Sequence, residues 1–332
     1  MTELRNLITD ILGLRVGHAG SAALGSGSTV ILFDRPVAAS LDVRGGGPGT
    51  RETALLDPAQ TIEGIDSIVL SGGSAYGLDA ASGTQAYLRE IGRGFKVREA
   101  LVPIVPAAIL FDLLSGGNKD WGRYPPYREF GYDAAKVAGS DFALGSAGAG
   151  LGATTVNLKG GIGSASARSS SGHIVGALVA VNAAGSVTVG DSAHFWAAPF
   201  EQNGEFGGRG LPSSFSGDAL KLRTKGNPGQ NTTLAVVATD AKLSKAQCKR
   251  LAVMAQTGMA RAIYPVHTPL DGDIVFSAAM GDKELDNPIH GLTELGMLAG
   301  NVLARAIARS VYEARALEFP NALASWQDRH GK

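Results

Sequence analysis

A layered α/β or α+β domain is the fold class that the 332-residue sequence predicts, and three observations carry that expectation. Five short apolar runs read as strands, each bounded by Gly, Asn or Asp. Three longer segments space their apolar residues as helices do. No repeat of roughly 20–50 residues is visible, which removes solenoids and propellers. Strands and helices that each bury a face are accommodated by stacking them in layers.

In chain order, strands are expected at residues 28–33 (STVILF) and 65–70 (IDSIVL), and a helix at 78–91 after a glycine-rich turn. Strands follow at 174–181 and 233–239. Ser244 suits the N-cap of a helix over 244–263, whose apolar positions include Leu251, Met254, Ala255 and Met259. A strand at 274–279 and a long Ala-rich helix at 292–317, carrying Arg305, Arg309 and Arg315, complete the series. Residues 201–231 read as a surface loop, with Gly204, Gly207, Gly208, Gly210, Pro212, Gly217, Gly226, Pro228 and Gly229 and few large apolar residues. That loop stops abruptly at Asn231-Thr232-Thr233, on the edge of a strongly apolar strand.

Thirty basic residues balance thirty acidic ones without a basic stripe. This argues against gripping nucleic acid or an anionic membrane by bulk charge. A single cysteine, Cys248, excludes an internal disulfide framework and a Cys-cluster zinc site. Residues 1–14 interleave Glu3, Arg5 and Asp10 with apolar residues, so no secretory core is expected. The most apolar stretch, 101–114, contains Pro103, Pro106 and Asp112 and is too short to span a bilayer. A soluble, cytoplasmic protein is the expectation, long enough for one large or two modest domains. The 46 glycines are nearly twice the usual share of about 7%. They sit between apolar runs, which points to tight turns and close backbone approaches.

Several local patterns carry chemistry in principle. Ser74, in Ser71-Gly72-Gly73-Ser74-Ala75-Tyr76-Gly77, stands where a nucleophile elbow would stand, but Tyr76 occupies a position that needs a small residue. The cluster from Arg44 to Thr50 lacks the Lys-Ser/Thr of a phosphate-binding loop, so tight packing explains it better. The six histidines include no i,i+4 pair, and Asp271-Gly272-Asp273 lacks the further ligands of a calcium loop, so no metal is expected. Cys248 lies mid-helix and reads as structural, with flanking lysines that would lower its pKa somewhat. Thr232 is the sharper candidate. If the Asn231–Thr232 bond is cut, its own α-amine, of ordinary pKa about 7.7–8, can serve as base for its hydroxyl. On pattern alone, a simple strand threonine explains it better.

Five stretches in one order extend the reading: Ser71–Ala80 (SGGSAYGLDA), Ala147–Ser166 (AGAGLGATTVNLKGGIGSAS), Val181–Gly185, Asn231–Asp240 (NTTLAVVATD) and Pro265–Phe276 (PVHTPLDGDIVF). Together they resemble the self-cleaving N-terminal-nucleophile amide hydrolases that include β-aminopeptidases, L-aminopeptidase/D-esterases and nylon-oligomer hydrolases. The resemblance implies an α+β fold, a four-layer αββα sandwich, with residues 1–332 as a single domain. It also implies autocleavage between Asn231 and Thr232, giving an α chain of residues 1–231 and a β chain of residues 232–332. Thr232 matches the nucleophile and Asn182 the amide that helps form the oxyanion hole. Lys159 is similar to the family's lysine across a two-residue insertion; without a gap, Asn157 falls there. Asp271 and Asp273 match paired acids that accept hydrogen bonds from that lysine and the new amine. Phe111 stands where some relatives carry a tyrosine, which removes a hydroxyl from the substrate site. His267-Thr268 is a weaker cleavage junction, lying just before Pro269.

The function implied is hydrolysis of short peptides, small amides or linear amide oligomers, with no cofactor and with several αβ units assembled as a homo-oligomer. The helix at 292–317 could serve such an interface or lie inside the protomer. An uncleaved binding protein on the same scaffold, or an acyltransferase, is the alternative.

Overall fold

The structure, a computed structural model, describes residues 3–225 and 231–331. Eleven strands and five α-helices are present among them: β1 (Leu14–Ser21), β2 (Ser26–Val43), β3 (Gly49–Arg51), β4 (Ile65–Ser71), α1 (Ala80–Glu90), β5 (Phe95–Val97), β6 (Ala100–Val102), β7 (Ala107–Ile109), α2 (Tyr127–Lys136), β8 (Gly161–Arg168), β9 (Ile174–Asn182), β10 (Thr232–Ala241), α3 (Lys245–Ala262), β11 (Ile274–Lys283), α4 (Pro288–Tyr312) and α5 (Trp326–His330).

Strand β2 is the spine. Its first half pairs with β1 and β4, and its second half pairs with β11. One sheet thus runs β3-β7-β4-β2 with β1 on the other side of β2; the second runs β2-β11-β10-β9-β8. Side-chain alternation then separates three cores. Ile31 and Phe33 of β2, Ile68 and Leu70 of β4, Leu178 of β9, and Leu234 and Val236 of β10 meet between the sheets. Val30, Leu32 and Val69 face the other way, onto Ala80, Leu88, Tyr127 and Ala134 of α1 and α2. Val179, Ala235 and Val237 face Leu251, Ala255, Leu303 and Ile307 of α3 and α4. Helices, sheet, sheet, helices: the expected αββα sandwich is the observed one.

The five expected strands are present, all longer than their apolar runs. Ser244 caps α3 in a capping box: its side chain accepts from Gln247 N–H, and the Gln247 side chain accepts from Ser244 N–H at 2.8 Å. Helix α4 starts earlier than expected, at Pro288, because Asn287 accepts from the N–H groups of Ile289 and His290. It also ends earlier, at Tyr312, where the chain turns to Ser146, whose hydroxyl accepts from Arg315 N–H at 3.0 Å. From Leu295 onward α4 is mostly buried within the protomer, while Ile289 and Met297 are exposed. Arg305 is 2% exposed and bonded to Glu205, to Ser166 O at 3.0 Å and to Asn6 Oδ1 at 2.8 Å.

Strands β1, β3, β5, β6, β7 and β8 and helices α2 and α5 are additions to the expected set. β8 reads GIGSASAR and carries one β-branched residue. A Cβ on Gly163 would stand 1.8 Å from Ala306 O, so α4 lies directly on the backbone of β8. Of the loop expected at 201–231, residues 201–225 are irregular as expected; Gly226, Pro228, Gly229 and Gln230 lie outside the described residues. No described helix is long and apolar enough to cross a membrane.

Candidate active site

Thr232 opens β10 in the middle of the second sheet. It is opposite Asn182, the last residue of antiparallel β9, while β11 runs parallel on the other flank from Leu234↔Ile274 onward. Thr232 Oγ1 donates to the carbonyl of Asn231, the residue before it. The same carbonyl oxygen accepts from Gly272 N–H at 2.8 Å, and Asn231 and Asp271 form an isolated parallel bridge. A hydroxyl and a backbone donor thus converge on the Asn231–Thr232 peptide.

The two acids stand on that same turn, each 1% exposed. Asp271 accepts from Ala184 N–H at 3.0 Å, Thr268 N–H at 3.0 Å and the Thr268 hydroxyl at 2.6 Å. Burial, and then the neighbouring Asp273, raises its pKa above the usual carboxylate range, against the pull of those hydrogen bonds. Asp273 accepts from Thr233 N–H at 2.8 Å through one oxygen and contacts His267 through the other, at 3.1 Å to N–H and 2.9 Å to Nδ1.

On the opposite side, Asn182 donates from Nδ2 to Phe111 O at 2.9 Å. Its Oδ1 accepts from Thr154 N–H at 3.0 Å and from Lys225 Nζ at 2.8 Å. Lys225 also reaches Thr154 O at 2.7 Å and Thr154 Oγ1 at 2.9 Å. Burial pushes its pKa down to about 7, with Asp271 pulling it back. A cavity of about 400 Å³ opens here, lined by Phe111, Leu114, Ser115, Thr154, Lys225 and Leu323 among others.

Lys159 is 2% exposed and spends its ammonium on the carbonyls of Gly150, Ala153 and Gly160, at 2.9, 2.7 and 2.7 Å. The expected hydrogen bonds from Lys159 to Asp271 and Asp273 are therefore absent among the described contacts. Local carbonyls claim all three N–H groups, and the lysine nearest Asn182 is Lys225. Burial pushes Lys159 to about 7 as well, partly offset by Asp112. Asn157, the ungapped alternative, is turned away, its amide donating to Thr188 Oγ1 at 3.2 Å and Gly190 O at 3.1 Å.

The remaining candidates take structural places. Ser74 donates its N–H to Leu110 O at 3.0 Å and starts a 3-10 turn with a left-handed φ of 53°. In the glycine cluster, Arg44 and Gly45 N–H bond Asp273 O at 3.0 and 3.2 Å and Gly47 N–H bonds Asp271 O at 2.8 Å. Those donors are spent on buttressing the acid-bearing turn. Thr268, the alternative junction, serves Asp271. Cys248 is fully buried, and burial pushes its thiol up to about 12, the reverse of the lowering expected from neighbouring lysines.

Lys225, Thr154 and Gly272 were not legible as site residues. Lys225 lies in a loop read only from its glycines and prolines, and nothing local announces that its side chain reaches Asn182.

The profile of peptidase family S58 matches residues 6–323. An uncharacterised aminopeptidase of Mycobacterium bovis is 42% identical over 331 residues, covering 93% of this chain and 94% of the relative. A 6-aminohexanoate-oligomer endohydrolase of Kocuria sp. is 26% identical, with 96% of this chain and 86% of the relative covered. The solved L-aminopeptidase D-Ala-esterase/amidase of Ochrobactrum anthropi, described as a variant of the Ntn hydrolase fold, superposes with a TM-score of 0.71 at 20% identity, covering 100% of this chain and 96% of that one. The sandwich is accordingly an Ntn hydrolase fold, and with a family match across nearly its whole length the chain belongs to peptidase family S58, an amide-hydrolysing enzyme family.

Proposed function

We propose that the chain is a self-processing amide hydrolase in which Thr232 first cuts the Asn231–Thr232 bond and then acts as an N-terminal nucleophile. The observation that carries this is the convergence on one peptide: Thr232 Oγ1 on the Asn231 carbonyl, and Gly272 N–H on that carbonyl's oxygen at 2.8 Å. Attack of Oγ1 on the carbonyl carbon forms a tetrahedral centre whose oxyanion Gly272 N–H stabilises. The C–N bond breaks, the hydroxyl proton passes to the departing nitrogen, and the ester left behind is hydrolysed by water. Residues 1–231 and 232–332 become two chains.

The freed α-amine, near pH 8 in an ordinary setting, then takes the hydroxyl proton when Thr232 attacks a substrate amide. Asp273, holding Thr233 N–H, fixes the start of β10, and Asp271 fixes the turn that carries Gly272. Asn182, the cross-strand partner of Thr232, supplies an amide for the substrate's oxyanion. Lys159 acts through its field rather than by contact, since its donors are taken. The substrates this reading favours are short peptides or small amides, with linear amide oligomers as the variant suggested by the 6-aminohexanoate-oligomer hydrolases among its relatives. Phe111 gives the cavity an apolar wall without a hydroxyl.

Intact-mass analysis of denatured protein tests the scheme. Fragments of roughly 24 and 10 kDa, the smaller beginning at Thr232, are expected by length proportion. Thr232→Ala should give one full-length species and no turnover; a processed, active Thr232→Ala protein refutes the mechanism.

A further inference from the structure

Lys225 is a half-buried cation that the proposed chemistry leaves without a task. Its Nζ has three acceptors, Thr154 O, Thr154 Oγ1 and Asn182 Oδ1, at 2.7, 2.9 and 2.8 Å, enough for the three protons of an ammonium. It makes no ion pair with any described residue. A lysine kept for stability gains most from a carboxylate partner, and this one has only neutral oxygens. Burial holds it near pH 7, so the ammonium is only moderately stabilised there.

The place of this cage is informative. Thr154 and Lys225 line the cavity of about 400 Å³, within the usual size of a small-molecule site, and Phe111, Leu114 and Leu323 give it apolar walls. Asn182, whose Oδ1 Lys225 reaches from the cavity wall, is the residue opposite Thr232 across the ladder. An occupant with an alkyl stem and a terminal ammonium would therefore end on the residue paired with the nucleophile. Lys225 has that shape. It stands six residues before the Asn231–Thr232 bond, on the segment that processing turns into a chain end. Asn231 Nδ2 donates to Lys225 O at 2.7 Å, tying the lysine to the uncut junction.

We propose that Thr154 O, Thr154 Oγ1 and Asn182 Oδ1 form a receptor for a primary ammonium group of the substrate, and that Lys225 fills this receptor in cis while the chain is intact. The ligand class is a primary alkylammonium: the amino terminus of a short peptide or the free amine of an ω-amino amide. The substrate role rests on the proposed function. The receptor itself does not depend on processing, so it can be tested apart from it.

In Thr232→Ala protein, which stays uncut, Lys225→Ala empties the cage. Titration with n-butylammonium should then raise the melting temperature saturably, by about 2 °C or more at large excess. Tetramethylammonium, with the same charge and no N–H, should not. Thr232→Ala protein that retains Lys225 should also be indifferent, and adding Thr154→Val should weaken the response at least fivefold. No saturable rise, an equal rise with tetramethylammonium, or indifference to Thr154→Val overturns the receptor. Should Lys225→Ala fail to fold, processed Thr154→Val enzyme decides. Its preference for a free-amine substrate over the N-acetylated one should fall at least fivefold from the parent's, and an unchanged preference refutes the proposal. A chain that binds butylammonium but never processes refutes the cleavage scheme and leaves the receptor standing.

Discussion

Gly272→Ala puts the geometry of self-cleavage under direct strain. A Cβ at residue 272 would stand 2.7 Å from Thr232 Oγ1 and 2.7 Å from Gly47 O. Ordinary contact begins near 3.4 Å, so both contacts are about 0.7 Å too short and each must open. Gly47 is held, its N–H bonded to Asp271 O at 2.8 Å, and the Thr232 hydroxyl is the freer of the two. Gly272 does not have a left-handed φ, so alanine adds no backbone strain there and keeps the N–H that serves Asn231 O. The effect should fall on the nucleophile's position. Misplacing a reacting atom by 1 Å costs about 10²-fold, so 0.7 Å should slow processing by roughly 10–100-fold. A time course of intact mass after synthesis reads that rate, and a melting curve checks that the precursor is folded. Thr232→Ser in the Gly272→Ala background should recover part of the rate, because serine lacks the γ-methyl that restricts the hydroxyl. Gly272→Ala protein that is folded and processes at the parent rate would refute the placement of Oγ1.

Other outcomes follow from buried charges, best measured in uncut Thr232→Ala protein. Lys159→Met strips three buried carbonyls of their donor and should cost about 2–4 kcal/mol in urea denaturation near pH 7. Because Lys159 titrates near 7 when folded and at 10.5 in its ordinary state, the unfolded chain holds the extra proton between those values. Stability should therefore rise with pH from about 7 toward 10.5, and Lys159→Met should lose part of that rise. Arg305→Ala leaves Glu205 buried beside a single remaining cation, Arg309, and should cost about 3–5 kcal/mol by the same measurement. Cys248 should resist a thiol-specific disulfide reagent in the folded protein and react once per chain after unfolding; rapid reaction in the folded state would contradict its burial and its raised pKa.

Strands β9, β10 and β11 were legible because sheets covered on both faces require near-continuous apolar runs. Helix α3 was legible because Ser244 and the apolar spacing agree. β8 was not, since its glycines and serines answer to the close approach of α4, a long-range fact with no local signature. Of the candidates that the resemblance implies, the fold brings Thr232, Asn182, Asp271 and Asp273 to one end of the second sheet. The partner of Lys159 was misjudged because a motif fixes which residue is present and not which acceptors compete for it. Lys225 escaped for the complementary reason: it belongs to no motif, and only the folded loop brings it to Asn182.

The position of β10 bears on the order of events in the life of the molecule. Its eight cross-strand pairs with β9 bind it to residues before the junction, and its parallel partner β11 comes from residues after it. A cut at Asn231–Thr232 would open the chain without opening the sheet. Folding and cutting then cannot be interchanged: the Asn231 carbonyl meets Gly272 N–H only after the sheet has closed. Once the bond is gone, closing the sheet again is an encounter between two separate polymers rather than a loop closure within one. The mature enzyme would therefore last by the slowness of its unfolding, and not by an equilibrium it can re-enter.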